Sequence, residues 1–256
     1  MANVVITGAS SGIGAALARF YAGPGVALGV IGQAAGRLEA VSGGLRAAGA
    51  QVSQGVFDVR DRAALEGFLA AFDARHPIDL LIANAGVLDG RRDGSVLETA
   101  ESARRVIGIN LLGAVDTVQA VLPGMVARGR GHIVLVSSLA GLSALPDAPA
   151  YSASKAGLLA YGRGLRAALV GTGVRVSVVC PGYVASAMTD SHIGKQPGKI
   201  SADDAARLMA AGIARNRAVI GFPRLLYFLA LITPFIPEAI TRLATRDIRF
   251  HVAPPD

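Results

Sequence analysis

Several ingredients are scarce in this chain, and each scarcity excludes something. There is one cysteine, Cys180, in 256 residues, so no intramolecular disulfide can form and the composition suits a reducing compartment. Cys180 closes the apolar run that starts at Val174, where a buried, inert thiol is expected rather than a nucleophile. Trp is absent and aromatics make up 5%. No basic cluster is interleaved with aromatics and no nucleic-acid-binding motif occurs, so nucleic acid is not an expected partner. The longest apolar run near the C-terminus, 225–236, is broken by Pro234 and falls short of the ~20 residues of a membrane-spanning helix. The start, Met1-Ala2-Asn3-Val4-Val5-Ile6, has no basic n-region, so no signal peptide is expected and a cytoplasmic location is. Acids are scarce too: 18 against 25 Lys/Arg, a formal net charge of +7. Nine of those cations lie from His192 onwards, with five acids. A solvated basic surface is the expectation, with peripheral contact to an anionic membrane left open.

What is present is an apolar, glycine-rich chain, 52% hydrophobic with 32 glycines, far from the composition of a disordered one. Apolar strand patterns fall at Asn3–Thr7, 26–31, 51–57, 79–83, 132–138, 174–180 and 217–221. Between them lie helical patterns at 15–21, around Leu38, Val41 and Leu45, at 62–74, in one long helix through Asn110 to about 128, at 150–170 and at 202–214. Strands apolar throughout, alternating with helices, predict a parallel sheet covered on both faces. No linker, repeat or low-complexity tract interrupts the alternation. The fold class is α/β: one doubly wound domain over 1–256 with seven parallel strands, and 222–256 as an apolar and basic extension.

The chemistry-bearing residues stand at strand ends, where ligands of open α/β sheets bind. Thr7-Gly8-Ala9-Ser10-Ser11-Gly12-Ile13-Gly14 joins the first strand to the first helix, the context in which a glycine loop lets backbone approach a pyrophosphate at a helix N-terminus. Tyr151 and Lys155 are one helical turn apart on one face. A phenol titrates near 10, too high for efficient proton exchange at neutral pH, and a neighbouring ammonium favours the phenolate. The pair is a candidate acid/base device.

These stretches together resemble the classical short-chain dehydrogenase/reductase (SDR) family from about Asn3 to Gly221. The resemblance rests on the glycine loop, Asn84-Ala85-Gly86, Asn110, Ser138 and Tyr151-x-x-x-Lys155 in order, with Asp58 and Pro181-Gly182 in support. It implies a Rossmann-type sheet in the strand order 3-2-1-4-5-6-7 and an oxidoreductase moving a hydride between NAD or NADP and a secondary alcohol or ketone, acting as a homodimer or homotetramer. Tyr151 would exchange the proton with the substrate oxygen. Lys155 would lower the Tyr151 pKa and hold the nicotinamide ribose. Ser138, thirteen residues before Tyr151, would bind the substrate oxygen in preference to Ser137. Asn110 would help hold a water linking Lys155 to solvent. The implied cofactor contacts are Gly8, Ser10, Ser11, Gly12, Ile13, Gly14, Gln33, Asp58 (to the adenine amino group), Val59, Asn84, Ala85, Gly86, Tyr151, Lys155, Pro181, Gly182, Val184 and Ser186. No metal is implied.

Departures from the family pattern narrow less than they open. Gln33 stands where an acid would indicate NAD and an Arg would indicate NADP. Without an acid to repel a 2′-phosphate the balance tips to NADP, with Arg37 one turn later as a possible partner and NAD or dual use open. Ser186, with Thr189 near it, replaces the usual Thr after Pro181-Gly182-Tyr183-Val184. The polar stretch 187–200 resembles a mobile lid, with His192 expected as a solvated loop residue. Leu139, Leu142, Leu145, Val184 and Met188 are candidate walls of an apolar pocket. The extension 222–256 could line that pocket, form an interface or lie on a membrane. A silent NAD(P)-binding regulator and a membrane-surface reductase of a lipid-like carbonyl are the competing functions. The intact set Asn110, Ser138, Tyr151 and Lys155 weighs against the regulator.

Overall fold

The structure is a computed structural model and describes residues 3–92, 94–190, 192–237 and 250–252. The described residues build a seven-stranded sheet, every neighbouring pair parallel. Its strands are β1 (Asn3–Thr7), β2 (Ala27–Gly32), β3 (Gln51–Val56), β4 (Leu80–Ala83), β5 (Gly131–Val136), β6 (Val174–Pro181) and β8 (Val219–Phe222). Their order is β3-β2-β1-β4-β5-β6-β8. This is the expected order; the last strand takes a higher number because the short β7 (His192–Gly194) precedes it. β2 and β4 are buried along their whole length, as parallel strands covered on two faces must be. β3, at the edge, carries Gln51, Ser53 and Gln54 and is mostly accessible.

Two apolar clusters lie on the two faces of the sheet. One joins Val4, Ile6 and Val30 to Leu17 of α1 (Gly12–Tyr21), Leu38 of α2 (Ala35–Ala47) and Met209 of α8 (Ala202–Ala214). The other joins Val5, Leu81 and Val178 to Phe72 of α3 (Arg62–Arg75), Val118 of α5 (Gly113–Arg128) and Leu158 of α6 (Pro149–Ala168).

Helix starts differ in a way that bears on function. Asp61, Thr99 and Ser201 accept from backbone N–H groups at the starts of α3, α4 (Ala100–Ile107) and α8, the usual side-chain caps. Ser11, before α1, makes no such bond. The first-turn N–H groups of α1 are therefore left for a ligand at the carboxyl edge of β1.

The long helix expected through Asn110 is not regular. α4 and α5 are joined by a π-helical turn, Gly108–Leu112. The fully buried Asn110 lies in it, and its amide ties the turn to the chain after β4. A π-turn adds a residue to one helical turn and so re-aims side chains, here at a cleft. Among the described residues, the stretch Ala100–Arg128 is the one helix long and apolar enough to cross a membrane. In the fold it packs against α3 and α6.

The expected lid also has structure. After the short helix α7 (Ala187–Asp190), β7 pairs antiparallel with β9 (Phe250–Val252). Expectations for 238–249 and 253–256 lie outside the described residues, as does the side chain of His192.

Candidate active site

The carboxyl ends of the strands open onto a cleft made of two cavities. One, of about 480 Å³, is bounded by the glycine loop, by Gln33, Ala34 and Arg37 after β2, by Phe57 and Val59 after β3, and by Asn84–Val87 after β4. The other, of about 300 Å³, holds Ser138, Tyr151 and Lys155, with Leu139, Leu145, Tyr183, Val184 and Met188 among its walls. Ile13, Asn84, Gly86, Ser186 and Met188 line both, so the two are halves of one cleft.

In the first half, backbone stands where side chains would obstruct. Gly8 has φ +68°, and a Cβ there would lie 2.8 Å from Ala85 Cα. A Cβ on Gly14 would run into the Gly8 carbonyl. Asn84 closes the floor: its Nδ2 donates to the carbonyls of Thr7 (2.9 Å) and Gly8 (3.2 Å), and the N–H groups of Asn84 and Ala85 donate to Thr7 Oγ1 at 3.0 Å. Thr7 thus joins the ends of β1 and β4, a role that its place before the glycines does not announce. The bare start of α1, the side-chain-free loop and the hydroxyls of Ser10 and Ser11 suit a pyrophosphate. A dinucleotide cofactor fits the residues present.

Asp58 departs from expectation. Its Oδ1 accepts from the Arg60 N–H (2.8 Å) and its Oδ2 from Arg60 Nε (3.0 Å) and a terminal nitrogen (2.6 Å). That guanidinium holds the carboxyl below the usual Asp range. Its neighbours Phe57 and Val59 line the cavity; Asp58 does not. Arg37 lines it too, exposed and without an ion pair among the described residues.

In the second half, the two serines after β5 separate. Ser137 is buried, and its Oγ donates to the Lys155 carbonyl at 2.6 Å. Ser138 stands at the start of the 3₁₀ turn Leu139–Gly141, where its Oγ accepts from the Ala140 N–H (3.1 Å) and donates to the Pro181 carbonyl (3.4 Å), on the same cavity wall as the Tyr151 phenol. Lys155 is 4% exposed, and its Nζ donates to the Val136 carbonyl at 2.9 Å. Burial pushes its pKa down from 10.5 to about 8. Its Nζ lies over the Tyr151 ring, 5.6 Å from the centroid. Burial raises the Tyr151 pKa, with the Ser138 hydroxyl opposing it. The Lys155 ammonium lies between the Tyr151 ring and the Val136 carbonyl.

Asn110 is committed on both sides of its amide. Its Oδ1 accepts from the Val87 N–H (2.8 Å), and its Nδ2 donates to the Val87 carbonyl (2.9 Å) and to Ser154 Oγ (3.1 Å). Ser154 Oγ donates in turn to the Tyr151 carbonyl at 2.7 Å. The π-turn is thereby bonded to α6 beneath the tyrosine. A Cβ on Gly86 would lie 3.2 Å from Asn110 Oδ1 and 3.3 Å from Lys155 Nζ.

Ser186 borders both cavities, while Thr189, buried behind it, accepts from the Ser186 N–H (3.0 Å) and donates to the Val184 carbonyl (2.8 Å). Of the five expected apolar walls, Leu142 alone does not line the cavity and packs instead in the core beside α6. Leu226 and Ala230 of α9 (Arg224–Ile232), and Thr233 after it, line the cavity from the extension.

Two supports were not visible in the chain's spacing. Glu98 Oε1 accepts from the Ala150 N–H at 2.7 Å and so caps α6 from another element, one residue before Tyr151. Arg91 Nε donates to the buried Asp147 carboxylate at 2.9 Å and holds the loop after β4 against the segment that leads into α6.

A dinucleotide-binding sheet with a serine, a tyrosine and a lysine at its edge defines a nicotinamide-dependent oxidoreductase. Comparison with known proteins agrees: the short chain dehydrogenase family model matches residues 2–196. An uncharacterized oxidoreductase of Myxococcus xanthus is 39% identical over 96% of this chain and 97% of its own. A Burkholderia phymatum short chain dehydrogenase/reductase solved with NAD superposes with a TM-score of 0.82 at 26% identity, covering 100% of this chain and 97% of that one. A Sphingobium yanoikuyae short-chain dehydrogenase solved with NADPH gives 0.79 at 29% identity, covering 97% of each chain. The chain belongs to the short-chain dehydrogenase family and is an NAD(P)-dependent oxidoreductase acting on CH–OH or keto groups.

Proposed function

We propose that this oxidoreductase interconverts an uncharged, apolar ketone and its secondary alcohol, with NADP(H) as the preferred cofactor. One observation carries the substrate class: among the described residues, Lys155 is the one charged residue that lines the 300 Å³ cavity. A carboxylate or phosphate on the substrate would find no counter-ion there, and its desolvation would go uncompensated. Leu139, Leu145, Tyr183, Met188 and Leu226 favour a hydrocarbon body instead.

In this reading the cofactor supplies the hydride. The Ser138 hydroxyl binds the substrate oxygen beside the phenol. The Tyr151 phenol gives its proton to the carbonyl oxygen as charge builds there. Lys155, its Nζ 5.6 Å from the Tyr151 ring centroid, stabilises the phenolate left behind and would hold the ribose hydroxyls of a bound cofactor. Asn110 keeps one Oδ1 lone pair for a water beside Lys155, over Gly86. Oxidation of the alcohol runs through the same groups in reverse.

The glycine loop, Gln33, Val59, Asn84–Gly86, Pro181, Gly182, Val184 and Ser186 hold the cofactor, with Asp58 reaching adenine only through a lone pair that Arg60 leaves free. Arg37, which lines the cavity with Gln33 and has no ion pair among the described residues, favours a 2′-phosphate. The chain acts as a single domain with 222–256 as its extension, as a homo-oligomer in the cytoplasm; the continuous sheet and the packing of α9 on β8 support the single-domain reading.

A panel of neutral and anionic ketones and alcohols, assayed with each cofactor by nicotinamide absorbance, tests the proposal. Turnover of apolar neutral ketones above anionic ones of equal size is expected. Preference for carboxylated substrates would overturn the substrate class.

A further inference from the structure

The helix α9 has two working faces. Leu226 and Ala230, with Thr233 one turn on, point into the substrate half of the cleft. Leu225, Phe228 and Leu229 turn away from it and are 69%, 61% and 45% exposed, and Phe235, in the turn that follows, is 87% exposed. The lid meets the same helix, since a Cβ on Gly198 would lie 3.1 Å from Leu226 Cδ1. That lid exposes Ile193. An apolar patch thus adjoins the wall of an apolar pocket, where a soluble surface normally scatters such residues singly.

The rim of this patch is basic. Arg224 opens α9, and Lys195 and Lys199 lie in the lid; all three are exposed or nearly so. Among the described residues, Asp190 of the lid pairs with Lys199, and the two acids in the first turn of α8 are engaged, Asp203 with Arg19 and Asp204 with Arg207. The whole chain carries +7.

We propose that the α9 face, Leu225, Phe228, Leu229 and Phe235 with the rim of Arg224 and Lys195, docks on an anionic lipid surface, from which an apolar carbonyl substrate enters the pocket along the same helix. Aliphatic and phenyl side chains enter the acyl boundary while cations meet lipid phosphates. A second copy of the chain is the poorer occupant. A two-fold interface would set this patch against itself and bring like-charged rims together. The passage of substrate rests on the function proposed above; the docking does not.

Co-sedimentation of the full chain with phosphatidylcholine vesicles containing about a third phosphatidylserine tests it. Wild type should bind at least about tenfold more strongly than Leu225→Ser/Phe228→Ser, and more strongly than it binds phosphatidylcholine alone. Neither residue lines the pocket, so the variant should keep its circular-dichroism spectrum and its turnover of a short water-soluble ketone. No vesicle binding, or equal binding by wild type and variant, overturns the proposal. So does a concentration-dependent dimer that the substitutions abolish in a protein that ignores vesicles, which would assign the face to a second copy. Vesicle binding without turnover of any ketone would leave the docking standing and break the substrate reading alone.

Discussion

The two halves of the cleft are built from different materials. The nucleotide half is mostly backbone: glycines at φ +68° and +53°, bare helix N–H groups, and strand ends pinned by Thr7 and Asn84. The substrate half is mostly side chain, gathered from β5, α6, the lid and α9. Backbone recognises what never varies, a pyrophosphate, and tolerates almost no substitution. Side chains recognise what differs between relatives, and can be exchanged while the frame stands. The proton-handling residues sit where the halves meet.

The sharpest way to separate the halves is Tyr151→Phe. It should lower kcat by about 10³-fold while the Kd for NADPH, from calorimetry, changes less than about threefold. Undiminished turnover would refute the assignment.

A comparably large effect should appear far from both halves. His132, near the amino end of β5, is 8% exposed and contacts Ser177 Oγ at 2.9 Å; burial holds its pKa down from 6.5 to about 4. The unfolded chain takes up this proton near pH 6.5 and the folded chain near 4. The stability is intact above pH 6.5 and falls by about 3 kcal/mol as the pH drops towards 4. Denaturant titrations across that window should show the slope in wild type and less of it in His132→Asn, with kcat at pH 7.5 unchanged.

On the backbone side, Gly14→Ala drives a Cβ into the Gly8 carbonyl. Overpacking of about 1–3 kcal/mol should weaken both cofactors roughly ten- to hundredfold. An unchanged Kd would show that the loop yields more easily than its contacts imply.

Arg37→Ala sharpens the cofactor question. The Kd for NADPH should rise by about tenfold, with that for NADH unmoved. Equal effects on both would remove Arg37 from 2′-phosphate recognition.

The smallest expected change comes from Glu98→Ala, which uncaps α6 at the Ala150 N–H. Stability should fall by about 1 kcal/mol, with a few-fold loss in kcat and little in KM. Glu98→Gln keeps the acceptor and should restore most of both, which simple loss of packing would not predict.

The sheet was readable because its period is local. Strands such as Ala27–Gly32 and Leu80–Ala83 are apolar at every position, and helices such as Ala202–Ala214 begin at a Ser and keep one apolar face. The positions of Ser138, Tyr151 and Lys155 were likewise legible, through the resemblance of their spacing to the short-chain dehydrogenase pattern. What was not legible lies between elements remote in sequence. Nothing near Asn110 announces a π-turn, because its cause is a pair of hydrogen bonds to Val87, 23 residues away. The capture of Asp58 by Arg60 was available in the sequence, two residues apart, but the spacing alone does not say whether that carboxylate turns to a ligand or to its neighbour.

The sequence by itself determined the alternation of strands and helices, the glycine loop and which phenol and ammonium share a helix face, because periodicity and turn chemistry act over a few residues. Only the tertiary structure decided where the Lys155 ammonium points, that Ser137 is spent on the Lys155 carbonyl, and that α9 turns one face to the pocket and the next to solvent. Those outcomes depend on burial and on hydrogen bonds between elements dozens of residues apart, which no local pattern encodes.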